Sequence, residues 1–243
     1  MKILITGASS GLGAEFARQY AASDNDLILL ARRKERLKAL QHELQNRCKS
    51  VTVVAVDVTD FELLQKKIDL IEVPDLVILN AGVSLGHSGG IPTIKAFKHL
   101  YDVNVLANHA ILEILLPKLQ AKRSGKIVFI SSLSSLFTMP SAKVYASSKR
   151  ALNAYAEGIR YKYASDGIEV INILPGFIKS ELTDKNDFAM PFLLETDEGV
   201  RLMKKAIDKG KKFYAFPLRF YLIIQTINLL PSFLRERIVN SLS

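Results

Sequence analysis

Short runs of consecutive apolar residues alternate along this chain with longer stretches in which apolar positions recur every three to four residues. The short runs are rich in Ile, Val and Leu and read as strands buried on both faces. They fall at 2–6, 26–31, 51–57, 76–80, 126–131 and 169–174, with a shorter seventh at 212–215. The longer stretches predict helices over 12–22, 34–47, 61–71, 94–122, 144–165 and 197–209. Strand and helix in steady alternation predict an α/β fold: a doubly wound Rossmann sheet of about seven parallel strands with helices on both faces. No repeat or low-complexity linker interrupts the 243 residues. The expected organisation is one domain over 1–217, with 218–243 as its helical C-terminal extension.

The first candidate chemistry lies at the end of the first strand, which runs through Gly7, Gly11 and Gly13 into a helix, with Ser9, Ser10 and Leu12 between the glycines. Such a turn lets backbone N–H groups approach a pyrophosphate at the positive end of the helix. Its place after the first strand of an alternating chain is what gives the turn weight. Folds of this kind that bind NAD carry an acidic residue about 20 positions further on, against the adenosine ribose. Here the second strand ends in Arg32 and Arg33 instead. Either guanidinium can pair with a 2′-phosphate, so NADP(H) is expected ahead of NAD(H), although two arginines also suit an ordinary helix start.

Tyr145 and Lys149 stand four residues apart at the start of an expected helix, and hence on one helical face. A nearby ammonium favours phenolate over phenol, which would make Tyr145 a proton donor and acceptor usable near neutral pH. Taken alone, the pair is equally an ordinary half-buried tyrosine beside a solvated lysine.

The wider set of residues decides between these readings. In order along the chain come "TGASSGLG" from Thr6, "DV" at Asp57 and Val58, and "NAG" at Asn80, Ala81 and Gly82. "VNV" around Asn104, "ISS" ending at Ser132, "YASSK" from Tyr145 to Lys149, and "PGFIKS" from Pro175 through Gly176 to Ser180 follow. This series resembles the single-domain branch of the short-chain dehydrogenase/reductase family over nearly the whole chain to about residue 217. The resemblance implies that Tyr145 is the general acid/base, with Lys149 lowering its pKa and holding the nicotinamide ribose. It further implies that Ser132 steadies the substrate oxygen and that Asn104 holds a water in a proton relay. By the same resemblance Asp57 and Val58 flank the adenine, Asn80, Ala81 and Gly82 the adenosine ribose region, and Pro175, Gly176 and Ser180 the nicotinamide amide. Two positions depart from the family pattern: Leu79 precedes Asn80 where a second asparagine is frequent, and Ser180 replaces a frequent threonine. A homodimer formed through the helices that begin near Ile94 and Val144 is also implied by the resemblance.

Composition narrows the surroundings. The single cysteine, Cys48, rules out an internal disulfide, and the four histidines (His42, His87, His99, His109) form no ligand-spaced pair, so no metal is expected. A strand pattern from the first residues leaves no expected signal peptide, and no apolar run is long enough to span a bilayer. A cytoplasmic location, with possible peripheral attachment to a membrane, is expected. The net charge of +9 is concentrated late, with nine Lys and Arg against Asp208 and Glu236 over 201–243. In the tail, a helix over 218–230 would share Phe220, Ile223, Ile224, Ile227 and Leu230 on one face. Pro231 would then break it, and a second short segment would cover 233–242. Apolar faces flanked by Arg219, Arg235 and Arg237 suit either packing on protein or an in-plane membrane contact. No nucleic-acid recognition pattern is present. Between 184 and 199, Phe188, Met190, Phe192, Leu193 and Leu194, with Phe177, form an expected lid over an apolar carbonyl or alcohol substrate. Val83, Leu133, Phe137 and Met139 are candidate pocket walls. The expected activity is therefore NADP(H)-dependent hydride transfer to or from a carbonyl carbon. The alternatives are a non-catalytic dinucleotide-binding regulator and a membrane-associated scaffold on the same fold.

Overall fold

The computed structural model describes residues 1–86, 90–185 and 190–241. Its strands are β1 (Lys2–Thr6), β2 (Asp26–Ala31), β3 (Ser50–Ala55), β4 (Leu76–Leu79), β5 (Gly125–Ile130), β6 (Ile168–Pro175) and β7 (Phe213–Phe216). They form one sheet in the order β3-β2-β1-β4-β5-β6-β7, every neighbouring pair parallel. The expected α/β class and the seven strands are thus observed. Successive side chains leave a strand on opposite faces, which explains why the apolar runs are unbroken. Ile3 and Ile5 enter one core with Phe16, Leu27 and Leu29, whereas Leu4 enters the other with Ile28 and Leu30.

The helices covering these faces are α1 (Gly11–Gln19), α2 (Lys34–Leu44), α3 (Phe61–Asp69), α4 (Ile94–Tyr101), α5 (Ala107–Lys122), α6 (Lys143–Tyr163), α7 (Thr196–Asp208), α8 (Leu218–Leu229) and α9 (Ser232–Ser241). The chain leaves β1 toward β2 and β3, then crosses back to place β4 on β1's other side. This reversal opens a crevice beyond the carboxyl ends of β1 and β4, where the glycine turn also lies.

Two expectations are corrected. The single helix expected over 94–122 is interrupted: α4 and α5 flank a π-helical turn at Asp102–Leu106 that contains Asn104. The tail does break at Leu230, which is extended before Pro231, but its apolar face is divided. Ile224 is buried against Leu133 and Leu174, with Phe220 beside it, while Ile223 faces outward at 46% exposure. Asn228 Nδ2 donates to the Leu136 carbonyl at 3.0 Å, fastening α8 over the loop after β5. The expected lid residue Phe188 and tail residue Leu242 lie outside the described residues. None of the helices among the described residues is long and apolar enough to cross a membrane.

Candidate active site

The glycine turn is built to bring backbone close to a ligand. Gly7 and Gly11 have φ of +68° and +50°, a region that favours glycine. A Cβ at Gly13 would lie 2.3 Å from the Gly7 carbonyl oxygen, so α1 reaches this closely under the turn only with glycine there. Ser10 precedes α1 but does not cap it; its Oγ accepts from Arg33 instead. The first N–H groups of α1 are thereby left to face the crevice. On the other side, Thr6 Oγ1 accepts from the N–H groups of Asn80 and Ala81, each at 2.9 Å, and Asn80 Nδ2 donates to the Thr6 carbonyl at 3.0 Å. Asn80 therefore ties the end of β4 to the end of β1.

An open cleft of about 400 Å³ runs from Arg32, Arg33 and Asp57 past the glycine turn and 80–84 to Ser132, Tyr145, Lys149 and the 175–180 segment. Among the residues singled out from the sequence, Gly13 and Asn104 stand behind this surface rather than on it. Of the expected pocket walls Val83 lines it, whereas Leu133, Phe137 and Met139 and the expected lid residues Phe177, Met190, Phe192, Leu193 and Leu194 do not, Leu133 being buried against Leu174 and Ile224. Arg32 reaches Asp57 at 3.5 Å. Arg33 donates to Ser9 Oγ at 3.1 Å, to Ser10 Oγ, and to Glu181 at 2.8 Å.

At the far end, α6 carries Tyr145 and Lys149 on the face that meets the end of β5. Lys149 is 4% exposed; its Nζ donates to the Ile130 carbonyl at 2.8 Å and lies 5.8 Å from the centre of the Tyr145 ring. Loss of water around the ammonium lowers its pKa to about 8. Desolvation likewise pushes the Tyr145 phenol up to about 12, and the neighbouring Ser132 hydroxyl opposes that rise. The expectation that Lys149 lowers the tyrosine's pKa is therefore corrected: removal of water raises it, and the opposing influence comes from the Ser132 hydroxyl. Ser132 Oγ accepts from the Ser134 N–H at 3.1 Å and from the Ser134 hydroxyl at 2.9 Å. With its acceptor sites so occupied, Ser132 keeps its own proton for the cleft.

Asn104 is committed elsewhere than expected. Its Oδ1 accepts from Val83 N–H at 2.8 Å, and its Nδ2 donates to the Val83 carbonyl at 3.1 Å and to Ser148 Oγ at 3.0 Å. Its carbonyl accepts from Asn108 Nδ2 at 2.8 Å. The side chain is a clamp joining the loop after β4 to α6. A π turn inserted at this point is what aims these groups.

The short chain dehydrogenase family profile matches residues 1–189, more than half of the chain. The chain belongs to the short-chain dehydrogenase family. An uncharacterized oxidoreductase of Myxococcus xanthus is 34% identical over 94% of this chain and 92% of its own. Another, from Mycobacterium tuberculosis, is 38% identical over 89% and 88%. Among solved structures, a short-chain dehydrogenase from Sphingobium yanoikuyae in complex with NADPH matches with a TM-score of 0.83 at 25% identity, covering 95% of this chain and 96% of that one. As a short-chain dehydrogenase, the protein is an oxidoreductase of CH–OH and C=O groups that uses a nicotinamide dinucleotide. The residues fit such a cofactor: the left-handed glycines of the turn, the uncapped start of α1 and the arginine pair provide for its phosphates.

Other parts of this short-chain dehydrogenase's site were not singled out from the sequence. Glu181, Arg36 and Ser134 carry no local motif; the carboxylate meets Arg33 and Arg36 across 148 and 145 positions. Phe220 in the tail stacks on Phe177 with centroids 5.9 Å apart and meets Phe192 at 5.8 Å. The lid segment is held by paired backbone bonds, Leu194 N–H to the Phe177 carbonyl and Lys179 N–H to the Leu194 carbonyl, each at 3.0 Å. The lid and α8 thus share an aromatic cluster that packs behind Gly176 at the cleft's rim.

Proposed function

We propose that the protein is an NADP(H)-dependent carbonyl reductase, or the corresponding alcohol dehydrogenase, for an apolar ketone, aldehyde or alcohol. The observation that carries this reading is the convergence of Ser132, Tyr145 and Lys149 at one end of the cleft whose other end carries Arg33. Bound in the cleft, a reduced nicotinamide supplies hydride to the carbonyl carbon. The protein's own groups must then manage the negative charge that gathers on the carbonyl oxygen. Tyr145, a neutral phenol at physiological pH, donates the proton from its hydroxyl. A positioned acid contributes about 10²- to 10⁴-fold to such a step. Ser132 donates to the same oxygen, with its hydroxyl oriented by Ser134, where a preorganised donor is most effective. The Lys149 ammonium, held by the Ile130 carbonyl, stabilises the tyrosinate left behind and binds a ribose hydroxyl. Asn104 holds the loop after β4 against α6 and keeps Lys149 facing the cleft.

Phe177, Phe192 and Phe220 support an apolar substrate, since their rings offer contact area and no hydrogen-bonding group. A single domain over 1–217 extended by 218–243 is part of the same reading, supported by α8 packing Ile224 and Phe220 on Leu133 and Leu174. A homodimer is proposed across α4, α5 and α6, where Phe97, Leu106 and Tyr161 are exposed. The protein is placed in the cytoplasm, with peripheral lipid contact through Leu218, Leu222, Leu229 and Phe233 beside Arg219 and Arg237. The complete Ser132, Tyr145 and Lys149 arrangement speaks against a regulator without turnover.

The test is a titration of the purified protein with NADPH and with NADH, read by cofactor fluorescence. NADPH is expected to bind more tightly. Tighter NADH would overturn the assignment of NADP(H), and binding of neither would overturn the enzymatic reading as well.

A further inference from the structure

Glu181 takes no part in the chemistry above, yet its carboxylate occupies a prominent place in the cleft. One oxygen accepts from Arg33 Nη1 at 2.8 Å and the other from Arg36 Nη1. The remaining donors of Arg33 go to the hydroxyls of Ser9 and Ser10, in the glycine turn. Two guanidinium groups, one of them braced on the phosphate loop, therefore meet a single anion, and that anion belongs to the chain itself. Glu181 follows Ser180, whose Cβ would lie 3.3 Å from a Cβ at Gly11, so the segment after β6 lies directly across the glycine turn. Its backbone is fixed by a tight turn in which Thr183 N–H donates to the Ser180 carbonyl at 2.9 Å. The side chain is half exposed and is held by Arg33, Arg36 and the Ser10 hydroxyl.

We infer that Glu181 is a tethered counter-anion for the 2′-phosphate cradle, pairing with Arg33 and Arg36 and giving way when a 2′-phosphate binds. The inference rests on the NADP(H) reading above. A carboxylate and a phosphate compete for the same planar N–H forks, and the phosphate wins because it carries more charge and three acceptor oxygens against two. The adjacent arginines hold the Glu181 carboxyl down to about 2, so it is an anion at any pH an assay would use. A dinucleotide without the 2′-phosphate offers nothing that must displace it. Glu181 therefore acts selectively, lowering affinity for phosphate-bearing ligands while keeping two arginines paired when the cleft holds none. It is a specificity-setting residue, and it works through Arg33 and Arg36.

The experiment compares the wild type with Glu181→Gln and Arg33→Ala in equilibrium titrations at fixed ionic strength. NADPH, NADH, adenosine 2′,5′-bisphosphate and adenosine 5′-monophosphate are the probes, with thermal unfolding of each ligand-free variant alongside. Glu181→Gln is expected to tighten NADPH and the bisphosphate by roughly 3- to 30-fold, the scale of two exposed ion pairs, and to leave NADH and the monophosphate within about twofold. Glu181→Ala should move the same two ligands in the same direction, which excludes an effect peculiar to the amide. If Glu181→Gln leaves phosphate-bearing ligands unchanged or weakens them, while the wild type still prefers NADPH and loses that preference in Arg33→Ala, the inference falls and the cofactor reading stands. Equal tightening of all four ligands would also overturn it, since a loop that merely opens the cleft would do that. Wild-type protein with no preference between the bisphosphate and the monophosphate would remove the cofactor reading and the inference with it.

Discussion

Replacing Lys149 with methionine should make the ligand-free protein more stable, and by an amount that depends on pH. The ammonium is 4% exposed, and burial lowers its pKa from 10.5 to about 8. A displacement of that size corresponds to about 3 kcal/mol of unfavourable free energy in the protonated form at neutral pH. Methionine has a similar stem and no charge, so it removes this cost; it also removes the charged hydrogen bond to the Ile130 carbonyl, at the lower end worth about 1.5 kcal/mol. The net gain near pH 7 is then up to about 1.5 kcal/mol, or roughly 3–6 °C in Tm for a chain of this size. The sign of the pH dependence follows from proton counts. Between about pH 8 and 10.5 the unfolded chain holds the lysine proton and the native state does not, so wild-type stability rises with pH across that window. The methionine variant lacks that rise, and its advantage should vanish, then reverse slightly, as the pH approaches 10.5. Tyr145 is displaced in the opposite direction, to about 12; its contribution is lost only above pH 10 and is common to both proteins. Urea unfolding of both proteins without cofactor, at several pH values across the window, measures the difference. A gap that stays constant with pH, or a variant less stable than wild type near pH 7, would refute the claim that a desolvated ammonium is stored beside Tyr145.

The cofactor and substrate ends of the cleft give two further expectations. Arg33→Ala should weaken NADPH by about 1.5–3 kcal/mol, roughly 10- to 100-fold, and NADH far less, because only the former loses a charge-assisted partner; titration of both cofactors checks it. Phe220→Ala removes two ring contacts, each worth about 0.5–1.5 kcal/mol. KM for a bulky apolar ketone should accordingly rise several-fold while a small aldehyde is little affected, and an equal effect on both would place Phe220 outside the substrate wall.

The fold was legible because its strands are buried on both faces: the run from Ile3 to Ile5 has no polar member, and the alternation of such runs with helical stretches permits few arrangements. The motif residues were legible for a related reason, since each lies at a strand end or helix start that the sheet brings to one crevice. Other features depended on tertiary context. Asp102, Val103 and Asn104 are compatible with a regular helix, and the π turn accompanies hydrogen bonds that Asn104 makes to Val83 and Ser148 across the fold, which local sequence does not reveal. The i, i+4 spacing of Tyr145 and Lys149 correctly put them on one face but could not convey the burial of Lys149 and the partial burial of Tyr145, which reverses the expected direction of the tyrosine's pKa. Helical periodicity grouped Ile223 with Ile224; the site where α8 docks buries one and exposes the other. Glu181, distant in sequence from both arginines, carried no local signal at all.

The reductase reading is tested most directly by NADPH oxidation across a panel of apolar ketones and aldehydes, with wild-type protein and Tyr145→Phe side by side. The phenylalanine variant keeps the ring and loses the proton. Turnover should fall by about 10²- to 10⁴-fold while NADPH affinity stays close to that of wild type. A Tyr145→Phe protein that reduces the same carbonyl at the wild-type rate would contradict the assignment of the proton donor, and with it the mechanism built on Ser132, Tyr145 and Lys149.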